Sequence, residues 1–357
     1  MHYILLVHKV DGGGIQGVVR SQASLLTEAG HDVTVVCNKE VPIDHKYNFN
    51  IKFIAFQKWS GRIELFKFIN SISDVRILAH SFDSYWAMFW LRRYRNRTFN
   101  FVHVDYYAMY YQGSKFLKSF ERTFNYRLLF NKTNMVFVSQ GAKESMIKKI
   151  GIKHKTASVL YPPVDFEEIE RLSNLVLNEE LPGQFYISLG RLAKRKNVAL
   201  AIKAFAKARE SDEFLVIVGD GEELENLKIL VNNLGLETYI IFLGWQQNPY
   251  PILKKAKGLI MSSNIEGFGL NVVEALSLGV PVVSTDAPSG PNEILGEEYL
   301  DCLSKVGSVE DLVLKIKHLK SNINESRFSK AFLREHVAQF NKHVVTNKLL
   351  HLTAVVK

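Results

Sequence analysis

Two carboxylates eight positions apart, Glu266 and Glu274, bracket the glycine-flanked stretch Gly267-Phe268-Gly269-Leu270. Apolar runs of strand length lie on either side, Gly258 to Met261 and Pro281 to Ser284, and Leu270 to Leu278 carries a helical period. The segment therefore reads strand, glycine loop, helix, strand. A loop at the carboxyl end of a parallel strand faces the ligand crevice, and the helix after it aims unbonded N–H groups and its positive dipole end at an anion. The two glycines let the backbone come close to that ligand. Glu274 lies about two turns down the helix, which lets both acids flank one ligand from the same side. A carboxylate is repelled by a phosphate, so each is expected to accept hydrogen bonds from hydroxyls, as a sugar offers. The plain alternative is a buried strand-helix-strand unit with two solvated glutamates.

A second constellation lies upstream. The run Phe185 to Leu189 reads as a strand and is followed by Gly190-Arg191-Leu192-Ala193-Lys194-Arg195-Lys196-Asn197. Four cations crowd one strand end. Unneutralised they repel one another, so a bound polyanion such as a diphosphate is the simplest partner. The alternative is a helix with a basic first turn.

Taken together, the Glu-seven-residues-Glu spacing around Gly-Phe-Gly and the Gly-Arg-Leu with a lysine five residues after its arginine resemble the donor site of retaining glycosyltransferases of family 4. The resemblance implies the GT-B fold, an α/β architecture of two Rossmann-like doubly wound domains facing a cleft. It assigns Arg191 and Lys196 to the donor's phosphates, Glu266 to the donor sugar's hydroxyls and Glu274 to the ribose. Gly190, Gly267, Phe268, Gly269 and Leu270 form the donor loops. Gly244-Trp245 is carried over as the neighbour of the nucleotide base. The segment Pro288-Ser289-Gly290-Pro291-Asn292-Glu293-Ile294 is similar to one found in members using UDP-hexoses or UDP-N-acetylhexosamines, which biases the donor toward UDP.

The elements that must position these residues are legible as an alternation of strands and helices along the whole chain. Tyr3 to Val10 is an apolar strand, followed by Asp11-Gly12-Gly13-Gly14-Ile15-Gln16-Gly17 and a helical stretch that Gly30 ends. This contains a formal Gly-x-Gly-x-x-Gly, yet the acid that would hold a ribose after the second strand is missing, because Asn38 and Lys39 follow Cys37. In the glycosyltransferase reading Gly13 and Gly14 face the cleft. Relatives often carry Gly-Gly-x-Glu-Arg here, and the departure leaves that Glu role unassigned. His103 falls toward the carboxyl end of the expected strand Asn100 to Asp105, with Asp105 two residues on. The resemblance makes it the first-domain contact to the transferred sugar, and a satisfied core histidine is the alternative. Pro162-Pro163 and the charged stretch after it mark a linker. The expected organisation is a Rossmann-like acceptor domain over 1–165, a linker over 166–183, a nucleotide-sugar domain over 184–335, and a terminal helix over 336–357 returning to the first domain. Tyr299 to Val306 is expected to be the last strand.

Composition narrows the class. Apolar residues make up 47% and charged residues 23%, as in ordinary globular chains. No apolar run approaches the roughly 20 residues of a membrane span. Met1 to Val10 lacks the basic start and cleavage site of a signal peptide, and two cysteines far apart fit a reducing cytoplasm. The net charge of +9 suits nucleic acid, anionic lipid or phosphorylated substrates without choosing among them. Ser114 to Phe130 combines apolar and basic residues at helical spacing, and Arg92, Arg93, Arg95 and Arg97 cluster nearby. That pattern reads either as a peripheral contact with the inner face of an anionic membrane or as a core-packed helix with a solvated basic face.

The expected function is hexosyl transfer, with retention, from a nucleotide diphosphate sugar to a glycan or lipid-linked acceptor in surface polysaccharide (lipopolysaccharide or capsule) synthesis. No two aspartates stand two apart, and Arg191 with Lys196 can carry the charge a metal would, so no metal and no cofactor beyond the donor is expected. Two alternatives remain: an NAD-dependent oxidoreductase using Gly12 to Gly17, and a non-catalytic basic module. No nucleic-acid motif supports a nucleic-acid partner.

Overall fold

Runs such as Tyr3-Ile-Leu-Leu-Val7 and Val33-Thr-Val-Val-Cys37 carry no polar alternation, the signature of parallel strands covered on both faces. The computed structural model describes residues 1–11, 14–40, 47–104, 116–177 and 179–354, without the side chains of 116–122. It shows two such sheets, each in its own compact unit. The first unit comprises Met1–Pro163 and Lys342–Lys357, the second Val164–Asn341.

In the first unit seven strands form one parallel sheet: β1 (His2–Val7), β2 (Asp32–Cys37), β3 (Asn50–Phe53), β4 (Val75–Ala79), β5 (Thr98–Val102), β6 (Asn134–Phe137) and β7 (Thr156–Val159). The spatial order is β3-β2-β1-β4-β5-β6-β7. Alternate residues feed two cores. Ile4 and Leu6 join Val36 and Ile77 beneath the helices Trp59–Asn70 and Phe82–Trp90. Tyr3, Leu5 and Val7 join Val33, Val35 and Phe101 on the other face. The helix Lys342–Ala354 closes that second face through Val345 and Leu349, while the Tyr3 hydroxyl lies 2.7 Å from Thr353 Oγ1 and Arg76 Nε donates to the Thr353 carbonyl at 2.9 Å.

The second unit repeats the plan with β8 (Phe185–Leu189), β9 (Phe214–Val218), β10 (Ile240–Gly244), β11 (Gly258–Met261), β12 (Val282–Thr285) and β13 (Leu303–Ser304), ordered β10-β9-β8-β11-β12-β13. Chain order reverses between β1 and β4 in one sheet and between β8 and β11 in the other. Those two positions are the topological switch points, where open α/β sheets leave a crevice beyond their carboxyl ends.

Three sequence expectations need correction. Residues 166–183 are not a free linker: Phe166–Ser173 is a helix of the second unit, opened by Asp165 Oδ1 accepting from the Glu168 amide at 3.0 Å, with Phe166 and Ile169 buried. Its charge density concealed an amphipathic stripe. The second unit also runs on to Asn341 rather than 335, because the Val164 amide donates to the Phe340 carbonyl at 3.0 Å and ties its two ends together. Finally, Tyr299 to Val306 is mostly not strand. Glu297–Cys302 is a kinked pair of 3₁₀ turns, broken at Tyr299 (φ −124°, ψ 29°), that buries Tyr299 and Cys302, and only Leu303–Ser304 pairs with β12.

Candidate donor-binding site

At the switch point of the second unit, two loops meet. After β8 the chain passes Gly190 and forms a 3₁₀ turn, Lys194–Lys196, that ends on Asn197 in the left-handed region (φ 45°) and opens the helix Val198–Ala208. Asparagine tolerates that conformation better than most residues. Its side chain then donates to Asn264 Oδ1 at 3.1 Å, and its carbonyl accepts from Ser262 Oγ at 2.9 Å. The second loop runs from Ser262 to Gly269 and leads into the helix Leu270–Ser277, which starts without a side-chain cap. The Val272 amide donates to the Gly269 carbonyl at 2.9 Å, and the amides before it, which no side chain caps, point toward the cleft side where an anion would sit. Asn271 Nδ2 donates to the Leu189 carbonyl at 2.9 Å, which binds this helix to the end of β8. Between the loops lies an open, shallow cleft bordered by Ser188, Gly190, Arg191, Lys196, Ser263 and Asn271.

Lys196 and Glu266 form an ion pair at the edge of this cleft, with side chains 18% and 5% exposed. Ser263 Oγ donates to the same Glu266 Oε1 at 2.6 Å. One carboxylate oxygen thus takes a cation and a hydroxyl. Arg191 is exposed and pairs with Glu222 Oε2 at 3.2 Å. The expectation of four unneutralised cations is corrected here: two of the four have carboxylate partners within the unit. Glu222 stands in the turn after β9, beyond the reach of local spacing.

Glu274 sits apart from Glu266 in its contacts. Tyr250 Oη donates to Glu274 Oε1 at 3.3 Å, and burial pushes the Glu274 carboxyl up to about 7 against the lesser, opposing effect of that hydrogen bond. The Tyr250 hydroxyl is in turn raised, by burial first and by the neighbouring Glu274 charge second.

Close backbone packing sets the donor loop. A Cβ on Gly290 (φ +112°) would lie 1.8 Å from the Phe268 carbonyl oxygen, so the Pro-Ser-Gly-Pro segment supports the Gly267 to Gly269 loop from behind. Phe268 is buried, edge-on to Phe340 with ring centroids 5.2 Å apart. Gly219 does the same for the other loop, since its Cβ would meet the Gly190 carbonyl oxygen at 1.9 Å. Trp245 is exposed after β10.

The first unit presents its own switch-point groups. His8 follows β1, and its Nδ1 lies 2.6 Å from Asp83 Oδ2. His80 follows β4, and its Nδ1 lies 2.9 Å from Nε2 of His103, which follows β5. Both imidazoles are buried, 1% and 8% exposed, and His80 stacks on Phe101. Burial lowers both, His103 to about 3, which keeps the pair neutral at ordinary pH. Gly14 (φ 61°) begins the helix Ile15–Glu28, whereas Gly12 and Gly13 lie outside the described residues.

Both units match known protein families. Residues 171–331 match the family "Glycosyl transferases group 1", and residues 12–168 match "Glycosyltransferase Family 4". The chain belongs to the GT-B glycosyltransferases. It is 31% identical over 208 residues to the N-acetylgalactosamine-N,N'-diacetylbacillosaminyl-diphospho-undecaprenol 4-alpha-N-acetylgalactosaminyltransferase of Campylobacter jejuni, covering 57% of this chain and 55% of that one. It is 28% identical over 217 residues to the lipopolysaccharide 1,6-galactosyltransferase of Escherichia coli, covering 56% and 59%. The chain thus spans little more than half the length of these relatives. In fold it is similar to Anabaena Alr3699/HepE in complex with UDP, with a TM-score of 0.83 at 16% identity over 99% of this chain and 100% of that one.

Of the residues singled out in the sequence, the structure brings Lys196 to Glu266 and places Arg191, Glu274 and His103 each with a different partner; sequence reasoning did not anticipate those partners. Ser263 carried a signal, a serine three residues before Glu266. His80 carried the same strand-end signal as His103. Tyr250 and Glu222 had none, for they lie 24 and 31 residues from the groups they touch.

Proposed function

We propose that this GT-B protein transfers a hexose or N-acetylhexosamine from a UDP-sugar to a hydroxyl of a glycan or lipid-linked acceptor in surface polysaccharide synthesis, with retention at the anomeric carbon and without a metal. The observation that carries the reading is the Lys196–Glu266–Ser263 group beside an uncapped helix N-terminus at a switch point. Cleaving the sugar–phosphate bond builds negative charge on the leaving diphosphate and positive charge on the sugar. Lys196, Arg191 and the amides near Gly269 and Leu270 supply fixed positive charge where the negative charge grows, and removing one such group costs about 2.7 to 4 kcal/mol of transition-state stabilisation. Glu266, already accepting a hydroxyl from Ser263, exchanges it for hydroxyls of the donor sugar, and Glu274 accepts from the ribose. The galactosyltransferase and N-acetylgalactosaminyltransferase relatives and the UDP-bound structural neighbour support the donor class.

The test is a thermal-shift panel of UDP, GDP, ADP and NAD on the wild type and Lys196→Ala, each referred to its own ligand-free midpoint. A UDP-selective shift lost in the variant is expected, followed by UDP-sugar turnover undiminished in chelator and an axial anomeric product by NMR when the donor is axial. A shift with NAD alone, unchanged in the variant, overturns the proposal.

A further inference from the structure

The helix Phe82–Trp90 is apolar on two sides. Tyr85 and Met88 face the core, while Phe82, Trp86, Phe89 and Trp90, at positions i, i+4, i+7 and i+8, form a second aromatic stripe in which Phe82 and Trp90 are exposed and Trp86 and Phe89 are half-buried against the edge of the core. Helices of soluble units normally give that side to polar residues. The exposed surface continues on one flank, where Trp59, on the helix Trp59–Asn70, stands edge-on to Trp90 with centroids 6.3 Å apart; on the other flank Phe82 stands edge-on to the buried Tyr126 of the helix Phe116–Phe130 at 6.3 Å. Trp59 is 65% exposed and Trp90 54%. Cations cover these rings: Arg62 lies 5.6 Å from the Trp90 centroid, Arg92 4.5 Å from Phe89 and Arg93 5.4 Å from Phe66. Arg95 and Arg97 follow on the 3₁₀ turn Arg92–Arg97, which holds no acid. The acids on the two helices are Glu64 and Asp83, and Asp83 is paired with His8.

We infer that this face of the first unit docks on the headgroup layer of an anionic lipid bilayer, with Trp59 and Trp90 entering the interface and the arginines meeting lipid phosphates. Tryptophan has an apolar body and a polar N–H, which suits the boundary between headgroups and acyl chains. Arginine stems cover apolar surface while their guanidinium groups stay at phosphate depth. A second copy of the chain is a poor occupant, because a two-fold contact brings the same patch to both sides and sets arginines against arginines. The surface shares the Arg92, Arg93, Arg95 and Arg97 cluster with the sequence reading but rests on the aromatic residues Trp59, Phe82 and Trp90 rather than on helix 114–130; Lys115 and the side chains of Lys118 and Arg122 lie outside the described set. The inference rests on this surface alone and does not require the proposed reaction.

Vesicle co-sedimentation of the full chain tests it, using phosphatidylcholine alone and phosphatidylcholine with phosphatidylglycerol. Three of the four tryptophans lie in the patch, so emission in a Trp245→Phe background reports on it directly. Binding to the anionic vesicles, weakening with salt, is expected, with a blue shift and quenching by brominated acyl chains. Arg92→Gln with Arg93→Gln is expected to weaken binding about 30-fold, since each interfacial charge is worth about fivefold. Trp59→Ser with Trp90→Ser is expected to remove most of the quenching, leaving only that of the half-buried Trp86, with UDP stabilisation retained. Four results overturn the inference: equal binding to neutral vesicles, undiminished binding by both double variants, no binding at low salt, or a blue shift that tracks protein concentration without lipid, which marks self-association. Loss of UDP binding with vesicle binding intact would instead count against the proposed reaction.

Discussion

Replacing Lys196 by methionine separates its structural role from its catalytic one. Glu266 is 5% exposed and Lys196 18%, so the variant leaves a buried carboxylate without its cation. Breaking a buried pair from one side costs about 3–5 kcal/mol. Two features place this site at or below the low end: Ser263 Oγ still donates to Oε1 at 2.6 Å, and the residual exposure of the lysine end admits water. A loss of about 2–3 kcal/mol is expected in the second unit. For a unit of that size each kcal/mol moves the melting midpoint by about 2–4 °C, so a drop of roughly 5–10 °C should appear by calorimetry. The companion Glu266→Gln leaves the lysine half free to solvate and costs less. The double variant should recover much of the single loss, with a coupling of at least ~1 kcal/mol in the cycle. Catalysis should not recover, because the diphosphate has lost a cation, and kcat is expected to fall by about 10²–10³ in both lysine variants. A Lys196→Met protein that melts with the wild type refutes the ion-pair reasoning. One that melts lower but keeps UDP affinity and kcat refutes the placement of the diphosphate.

Two further outcomes follow from single contacts. Burial raises the Glu274 carboxyl to about 7, above its unfolded value, so the folded state holds the proton longer and stability falls as pH rises from about 4.5 to about 7. Glu274→Gln should flatten that slope in urea titrations, and Tyr250→Phe, by removing the donor to Glu274 Oε1, should extend it to higher pH; an unchanged slope in Glu274→Gln rules the assignment out. Gly290→Ala forces a Cβ to 1.8 Å from the Phe268 carbonyl at a φ of +112° and should both destabilise the second unit by more than ~1 kcal/mol and weaken UDP at least tenfold, as read by calorimetry; wild-type affinity would show that the loop does not depend on its support.

Much of the fold was legible because parallel strands covered on both faces must be apolar throughout, so β1, β2, β8 and β11 stand out against any background. The cations after β8 and the glycines after β11 were legible for a related reason: each cluster is contiguous in the chain. The helix Phe166–Ser173 was not, since five of its eight residues are polar or charged and its apolar stripe is short. The aromatic face was hidden too, because an outward Phe82 or Trp90 looks in sequence like a second core stripe. Only burial distinguishes them.

By itself the sequence determined the alternation of strand and helix and the residue chemistry of the loops at each strand end. Those properties are local, set by periodicity, glycine conformational freedom and charge within a few positions. Tertiary structure decided which partners those residues meet. Lys196 reaches Glu266 across 70 positions, Arg191 reaches Glu222 across 31, and Thr353 returns to Tyr3 across 350. Such pairings are fixed by sheet order, which places β8 beside β11 and packs the last helix on the first strand's face, and sheet order is settled by how whole faces bury against one another rather than by any neighbouring residue.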